Sequence, residues 1–309
     1  MRKITLLISM IFVLAANAQI TEGEAELKEL KTDTVASWKK GGITSLNLSQ
    51  TSLVNWAAGG QNSVSLNGML SLFANYFDEK NSWENNLDLG YGLLKQSNYN
   101  GVMKTDDRID FISKYGRKAF KSFYYAGLLN FKTQFAKGYN YPNDSIRISN
   151  FLAPAYLLGA VGLNYIPNQY FNAFISPLTG KFTFVNDEYL SNNGAFGVEK
   201  GKKSRAELGG YVRLGFVKND FKEGFFKNFS IASKLDLFSN YLKNPQYIDV
   251  NWENIIGMKV NDYISVSLNT NLIYDYDIKF DANGDGSLEG DKARVQFKEI
   301  LGVGFMYKF

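Results

Sequence analysis

Residues 296–309 read QFKEILGVGFMYKF, and their alternation decides the fold. Phe297, Leu301, Val303, Phe305, Tyr307 and Phe309 occupy odd positions, whereas Gln296, Lys298, Gly302, Gly304, Met306 and Lys308 occupy even ones. A period of two is the signature of a strand with one apolar face and one polar or small face. The aromatic Phe309 fits the C-terminal signal read by the outer-membrane assembly machinery.

The same pattern recurs along the chain. Val64, Leu66, Leu70, Leu72 and Tyr76 alternate with Ser65, Asn67, Ser71 and Asn75. Trp83, Leu87, Leu89, Tyr91 and Leu93 alternate with Glu84, Asn86, Asp88, Gly90 and Gly92. Twelve such segments are expected: 43–50, 63–78, 82–96, 105–116, 121–137, 149–165, 169–177, 205–217, 227–239, 246–258, 262–275 and 294–309. The strand at 169–177 is the weakest, because Pro177 and an apolar YFNAFI blur its alternation. Most segments exceed the roughly 9–11 residues that a tilted membrane strand needs. Tight turns such as DEKNS, GRKAFK and IPNQ alternate with longer connections at 51–62, 97–104, 138–148, 178–204, 240–245 and 276–293. An even strand count places both termini on the short-turn side, as outer-membrane barrels require.

Composition narrows the classes. Aromatic content of 15% with only 5 Pro favours strands. The opening MRKITLLISMIFVLAANAQ has a basic start, an apolar stretch and an A-x-A site, so residues 1–18 are expected to be a secretory signal peptide. Residues 19–42 are expected to form a periplasmic extension, and 43–309 a barrel in the bacterial outer membrane with a periplasmic N-terminus. The chain has no Cys, which excludes disulfides and thiolate metal sites. The net charge of +4 loses Arg2 and Lys3 with the signal and gives no reason to expect nucleic acid.

A soluble sandwich also alternates, but three features favour a bilayer. The apolar face is nearly free of charge, with Asp107 and Glu299 as exceptions near strand ends. Aromatics at strand ends, among them Trp83, Tyr115, Phe123, Tyr263, Tyr307 and Phe309, read as an interfacial girdle. The polar face carries both signs in mid-strand: Glu84, Asp88, Arg108, Asp110, Lys132, Glu207, Arg213, Lys234, Asp236, Glu253 and Lys298 are expected to line a lumen and pair across it. The fold class is therefore all-β, a transmembrane up-and-down antiparallel β-barrel of about twelve strands with short periplasmic turns and longer extracellular loops.

The stretches TSLVNWAAGGQNSVSLNG, NSWENNLDLGYGLLK, KTDDRIDFISKYGRKA, LNFKTQFAKGY, FLAPAYLLGAVGLNYIP, ISPLTGKFTFVND and QFKEILGVGFMYKF together resemble a family of Bacteroidota outer-membrane proteins that carries a domain-of-unknown-function label. The resemblance covers about residues 36–309. It implies location and architecture, and brings no reaction or catalytic residues.

The chain has no His, so Ser–His and His-base mechanisms are closed to it. Glu84 with Asp88, and Asp106 with Asp110, share a strand face but stand roughly 13 Å apart, too far for a glycosidase-type pair on one strand. DANGDGSLEGDKAR places Asp281, Asn283, Asp285 and Ser287 as in the first half of a calcium loop, with Glu289 and Asp291 as substitutes for the chelating Glu that Lys292 replaces. Two readings stand: a Ca2+ loop between the last two strands, or a solvated acidic loop. NWAAGGQN (55–62) reads as a loop folded into the pore mouth or as a hairpin anchored by Trp56, and the basic GVEKGKKSR (197–205) as a lipopolysaccharide contact or a solvated loop.

Three functions follow from this sequence. The first is a non-enzymatic narrow or plugged channel or transporter for a small or hydrophobic solute. The second is an accessory subunit of an outer-membrane machine, docked to a periplasmic or outer-membrane protein partner through residues 19–42. The third and least favoured is a carboxylate-based enzyme. Expected partners are membrane lipid, lipopolysaccharide and the assembly machinery.

Overall fold

The computed structural model describes residues 37–55, 57, 60–222, 224–261, 264–279 and 292–308. Twelve long strands run in chain order around one sheet: β1 (Ser37–Thr51), β2 (Ser63–Phe77), β3 (Asn81–Gln96), β4 (Met103–Phe120), β5 (Phe123–Thr133), β8 (Ala155–Tyr165), β9 (Phe171–Phe184), β10 (Ser204–Lys218), β11 (Phe229–Asn240), β12 (Ile248–Lys259), β13 (Ser265–Tyr274) and β14 (Gln296–Lys308). Two further short strands, β6 (Gly138–Asn140) and β7 (Asn143–Ser149), form a hairpin between β5 and β8. Every neighbouring pair is antiparallel, and β14 pairs with β1 to close the barrel.

All twelve expected strands are present, with three boundary corrections. Residues 37–42, read as periplasmic extension, already belong to β1, where they pair with Phe77–Leu72 of β2. The strand read as 149–165 begins only at Ala155, and the connection read as 138–148 holds a hairpin in which Asn143–Ser149 folds back on Gly138–Asn140. The strand ended at Pro177 runs on to Phe184. Pro177 sits in a β-bulge, where the register slips between Ser176 and Thr179 against β10 and between Ile175 and Leu178 against β8, so its missing N–H breaks no ladder bond. Ser176 Oγ lies 2.8 Å from the carbonyl oxygens of Val161 and Leu178 and accepts from Thr179 Oγ1 at 2.8 Å, tying the bulge together. Close approach there requires glycine on the neighbouring strand: a Cβ on Gly162 would fall 2.0 Å from the Ile175 carbonyl oxygen. The expected signal peptide and residues 19–36 lie outside the described residues, as do Trp56, Tyr263 and Phe309.

Short turns join β2–β3, β4–β5, β8–β9 and β12–β13 at the end that also holds the N-terminal residue of β1, the C-terminal residue of β14 and the longer β10–β11 connection; the longest connections gather at the opposite end. Alternation then distributes the side chains. Leu48 and Leu301, each 67% exposed, stand on the outer face with Val64, Leu129, Val161, Ile175, Phe216, Ile256 and Val303, while Ser71, Asn75, Asp110, Lys114, Arg213 and Asp236 are buried inside. This polarity is inverted relative to a water-soluble domain. An aromatic cluster marks the short-turn end outside: Trp38 packs on Tyr76 and Trp83, and Phe123 stacks between Phe120 and Tyr165.

Two local modules repeat on this wall. In β3 and β4, Trp83 Nε1 donates to Ser113 Oγ at 2.9 Å, which donates to Asn85 Oδ1 at 2.7 Å, while inside Lys114 lies 3.2 Å from Glu84. In β12 and β11, Trp252 Nε1 donates to Ser233 Oγ at 3.0 Å, which donates to Asn254 Oδ1 at 2.7 Å, and Lys234 lies 2.9 Å from Glu253. Trp-Glu-Asn on one strand faces Ser-Lys on its neighbour in the same register both times. Outward polar atoms thereby satisfy one another instead of facing an apolar medium unpaired.

Candidate functional site: a charged lumen

The interior is built from side chains on alternate positions of facing strands, and it is layered. At mid-height Asp110 (β4) accepts from Asn130 Nδ2 at 2.6 Å and lies 3.4 Å from Lys132 (β5) and 3.9 Å from Lys234 (β11). Glu253 (β12) lies 2.9 Å from Lys234, 3.5 Å from Lys132 and 3.9 Å from Arg108 (β4). Strands β4 and β12 are far from neighbours in the sheet, so these contacts cross the barrel. Beside them Arg213 (β10) grips Asp236 (β11) with Nε at 2.5 Å and Nη2 at 2.9 Å, and Tyr211 Oη donates to the same carboxylate at 2.6 Å. Such a two-pronged guanidinium–carboxylate contact fixes both groups rigidly.

A second layer lies toward the long-loop end. Lys181 (β9) sits 2.6 Å from Asp249, 3.5 Å from Asp275 and 3.7 Å from Glu207. Arg205 contacts Glu207 at 2.9 Å and Asp277 at 2.6 Å. The β9–β10 connection covers this layer. Its helix α1 (Glu188–Asn192) is capped by Asp187, which accepts from Leu190 N at 3.1 Å and Asn150 Nδ2 at 2.8 Å and pairs with Arg147 at 3.0 Å. Burial pushes the Asp187 carboxyl up, but these bonds and the Arg147 charge outweigh it and hold it below its ordinary value. Val185, Leu190 and Val198 pack with Ala153 into a small core, and Gly197 lies against Arg205 and Asp277.

The opposite, short-turn end is hollow. A vestibule of ≈ 1050 Å³, counted with its open mouth, is lined by Asn75, Phe77, Lys114, Asn172, Val217 and Ile255, and ends on Asp110, Arg213, Lys234 and Glu253. On the β5–β11 side, Leu128, Phe174, Tyr211 and Phe238 fill the interior with Ala126 and Ala160. The remaining wall carries less charge: the inward positions of β13, β14, β1 and β2 hold Ser265, Ser267, Asn269, Asn271, Gly302, Ser45, Asn47, Ser49, Ser65 and Asn67, together with Met69, Phe73, Ile300 and the cation Lys298. Where the small neutral side chains stand, they leave more room than the crowded charged half.

All eleven residues expected in the lumen stand in these networks or beside them. Glu84 meets Lys114; Asp88 accepts from Ser71 Oγ; Lys298 reaches Asp106 on β4 at 2.9 Å. Lys181, Arg205, Asp249, Asp275 and Asp277 are not among the residues expected in the lumen: Lys181 lies past Pro177, where its strand is expected to end, and the others lie close to expected strand ends or in connections. Asp107, an exception on the apolar face, is explained: its carboxylate takes the amides of Phe135 and Ala136 at 2.7 and 2.9 Å and Lys104 Nζ at 2.7 Å. Glu299 is exposed on the outer face of β14 near its loop end, opposite Thr270. The expected calcium ligands Asp281, Asn283, Asp285, Ser287, Glu289 and Asp291 lie outside the described residues. Among the described residues, no group of three or more acidic side chains forms a metal-binding cluster.

Residues 48–139 match the model of a family described as a protein of unknown function, DUF3078. No match was found among curated proteins. Among solved structures, an outer membrane channel from Pseudomonas putida F1 is similar over 91% of this chain and 98% of its own, at 10% sequence identity and a TM-score of 0.39. Likeness at that level carries no functional argument.

Proposed function

We propose that the chain is a non-enzymatic outer-membrane barrel, a conduit for a small or hydrophobic solute that rests closed at mid-height. The inverted polarity is the observation that carries this reading. Leaving one Leu- or Phe-sized side chain in water forfeits about 1.5–3 kcal/mol. Ten such outward residues would exceed the net stability of about 5–15 kcal/mol that a whole domain has. Against hydrocarbon tails the same residues cost nothing, and closure leaves no long sheet edge across most of the wall. The vestibule and the less charged wall supply a path; the crossing ion pairs and the α1 loop close it.

Two measurements test this. Protein refolded in detergent is expected to migrate faster on a denaturing gel unheated than after boiling, and to insert into planar bilayers. Lumenal conductance is expected to be small at rest and to rise severalfold in Glu253→Gln, which releases Lys132, Lys234 and Arg108. A soluble monomer without heat-dependent mobility refutes the membrane reading. Unchanged zero conductance in both forms, with a stoichiometric partner recovered on purification, favours the accessory-subunit reading that the filled β5–β11 side also suits.

A further inference from the structure

The seam that closes the barrel is short. Among the described residues, β1 pairs with β2 over fifteen residues, Ser37–Thr51, yet with β14 over four only, Ile43–Leu46 against Lys308–Phe305. β14 in turn continues on β13 up to Gln296. From Asn47 to Thr51 on one side and Gly304 to Gln296 on the other, both strands keep their outer neighbours and, among the described residues, have no ladder partner across the seam.

Every second N–H and C=O on each of these edges therefore points into the gap. In hydrocarbon an unsatisfied backbone group costs several kcal/mol, so the gap has to hold polar groups reaching it from the lumen or from a headgroup. Its two lips differ. Outside, Leu48, Leu301 and Val303 are exposed. Inside, the Asn47 carboxamide lies over Gly302 and Gly304, with Oδ1 buried and unpartnered. Lys298 faces the same space and keeps 48% of its side chain exposed despite its pair with Asp106.

We infer that the upper β1–β14 seam is a lateral portal through which a single-chain anionic amphipath, such as a free fatty acid, passes between the lumen and the surrounding leaflet. The carboxylate meets Lys298 and the Asn47 amide at the inner lip, and the tail leaves between Leu48 and Val303. Lys298 spends one donor on Asp106 and keeps half its side chain exposed, so its remaining N–H groups can meet one further carboxylate, and the gap lies between a single pair of strands. This deepens the conduit reading and rests on it for the bilayer alone.

The test uses full-length protein in nanodiscs with a photoreactive palmitate analogue carrying its diazirine beside the carboxylate. Labelling is expected on peptides containing Asn47, Ser49 or Lys298, and to fall at least fivefold in Lys298→Gln. Extending the four observed pairs places residue 48 opposite 303, and the chain has no native Cys. Bridging Leu48→Cys/Val303→Cys with a short thiol crosslinker is then expected to abolish inner-lip labelling. Labels confined to outward residues, or inner labels unaffected by the bridge and by Lys298→Gln, overturn the portal. Hydrogen exchange gives a substrate-free check: every second amide of 47–51 exchanges fast in wild type, and uniform protection matching β2 overturns it. Heat-dependent mobility and ion conductance, run on the same bridged sample, report separately on the barrel and conduit readings.

Discussion

Asp236→Asn isolates the contact that best defines the lumen. Asp236 and Arg213 are both buried, joined by bonds of 2.5 and 2.9 Å, and Tyr211 Oη adds a third at 2.6 Å. The substitution keeps the shape and one acceptor oxygen but removes the charge. Breaking a buried pair by losing one partner costs about 3–5 kcal/mol, because the remaining charge stays buried. The lumen retains other carboxylates near the guanidinium, Asp110 among them, so the lower end of that range, about 3 kcal/mol, is expected here. That is a factor of roughly 150 in the folding equilibrium. Arg213→Met removes the orphaned charge, and the double variant Arg213→Met/Asp236→Asn is expected to recover about 2 kcal/mol of the loss. Denaturant titration into lipid vesicles, followed by the heat-dependent gel shift, reads all four proteins. If Asp236→Asn costs less than about 0.5 kcal/mol, or if the double variant is no better than the single, the pair is not structurally coupled and the layered lumen is wrongly described.

Three more outcomes are expected. Gly162→Ala should lose about 1–3 kcal/mol, since its Cβ would meet the Ile175 carbonyl oxygen, while Gly159→Ala, with nothing within 4 Å of its Cβ, should stay near wild type. Ser113→Ala and Ser233→Ala should each cost about 1–2 kcal/mol and agree closely, because each hydroxyl serves one indole N–H and one Asn carboxamide in matching modules. Asp187 has a folded-state pKa below its ordinary value, so its bonds stabilise the α1 loop above about pH 4 and are lost as pH falls through the folded value. Limited proteolysis of the 185–203 segment should accelerate on acidification below that range, and Asp187→Asn should blunt the dependence.

The strand count, the inward set and the short-turn end were legible because a period of two survives wherever one face meets an apolar medium and the other does not. Pro177 hid the end of β9, since a bulge lets proline stand inside a strand that the pattern would stop there. Ser145-Ile146-Arg147-Ile148 alternates as well as any wall strand, yet the β6–β7 hairpin lies in the stretch 138–148 that reads as a connection, because so short a pairing is masked by the turn residues around it. Pairing was not legible at all. Glu253 meets Arg108 and Lys132 only because β12 and β4 face each other across a closed ring, and no local spacing encodes a diameter. Trp-Glu-Asn occurs at 83–85 and again at 252–254, and its meaning comes only from the Ser-Lys strands beside it.

The layering of the lumen has an electrical consequence. The outer layer sets Glu207, Asp249, Asp275 and Asp277 against Lys181 and Arg205, whereas the middle layer sets Arg108, Lys132, Arg213 and Lys234 against Asp110, Asp236 and Glu253. Asp88, opposite Asp110 in register, brings the middle layer to four charges of each sign, so an excess of negative charge stands above a balanced layer along one axis. In the proposed conduit, cations entering from the loops fall into a well where anions meet a barrier. Once its ion pairs are loosened, such a conduit is expected to act as a diode, passing unequal currents in a planar bilayer at voltages of equal size and opposite sign.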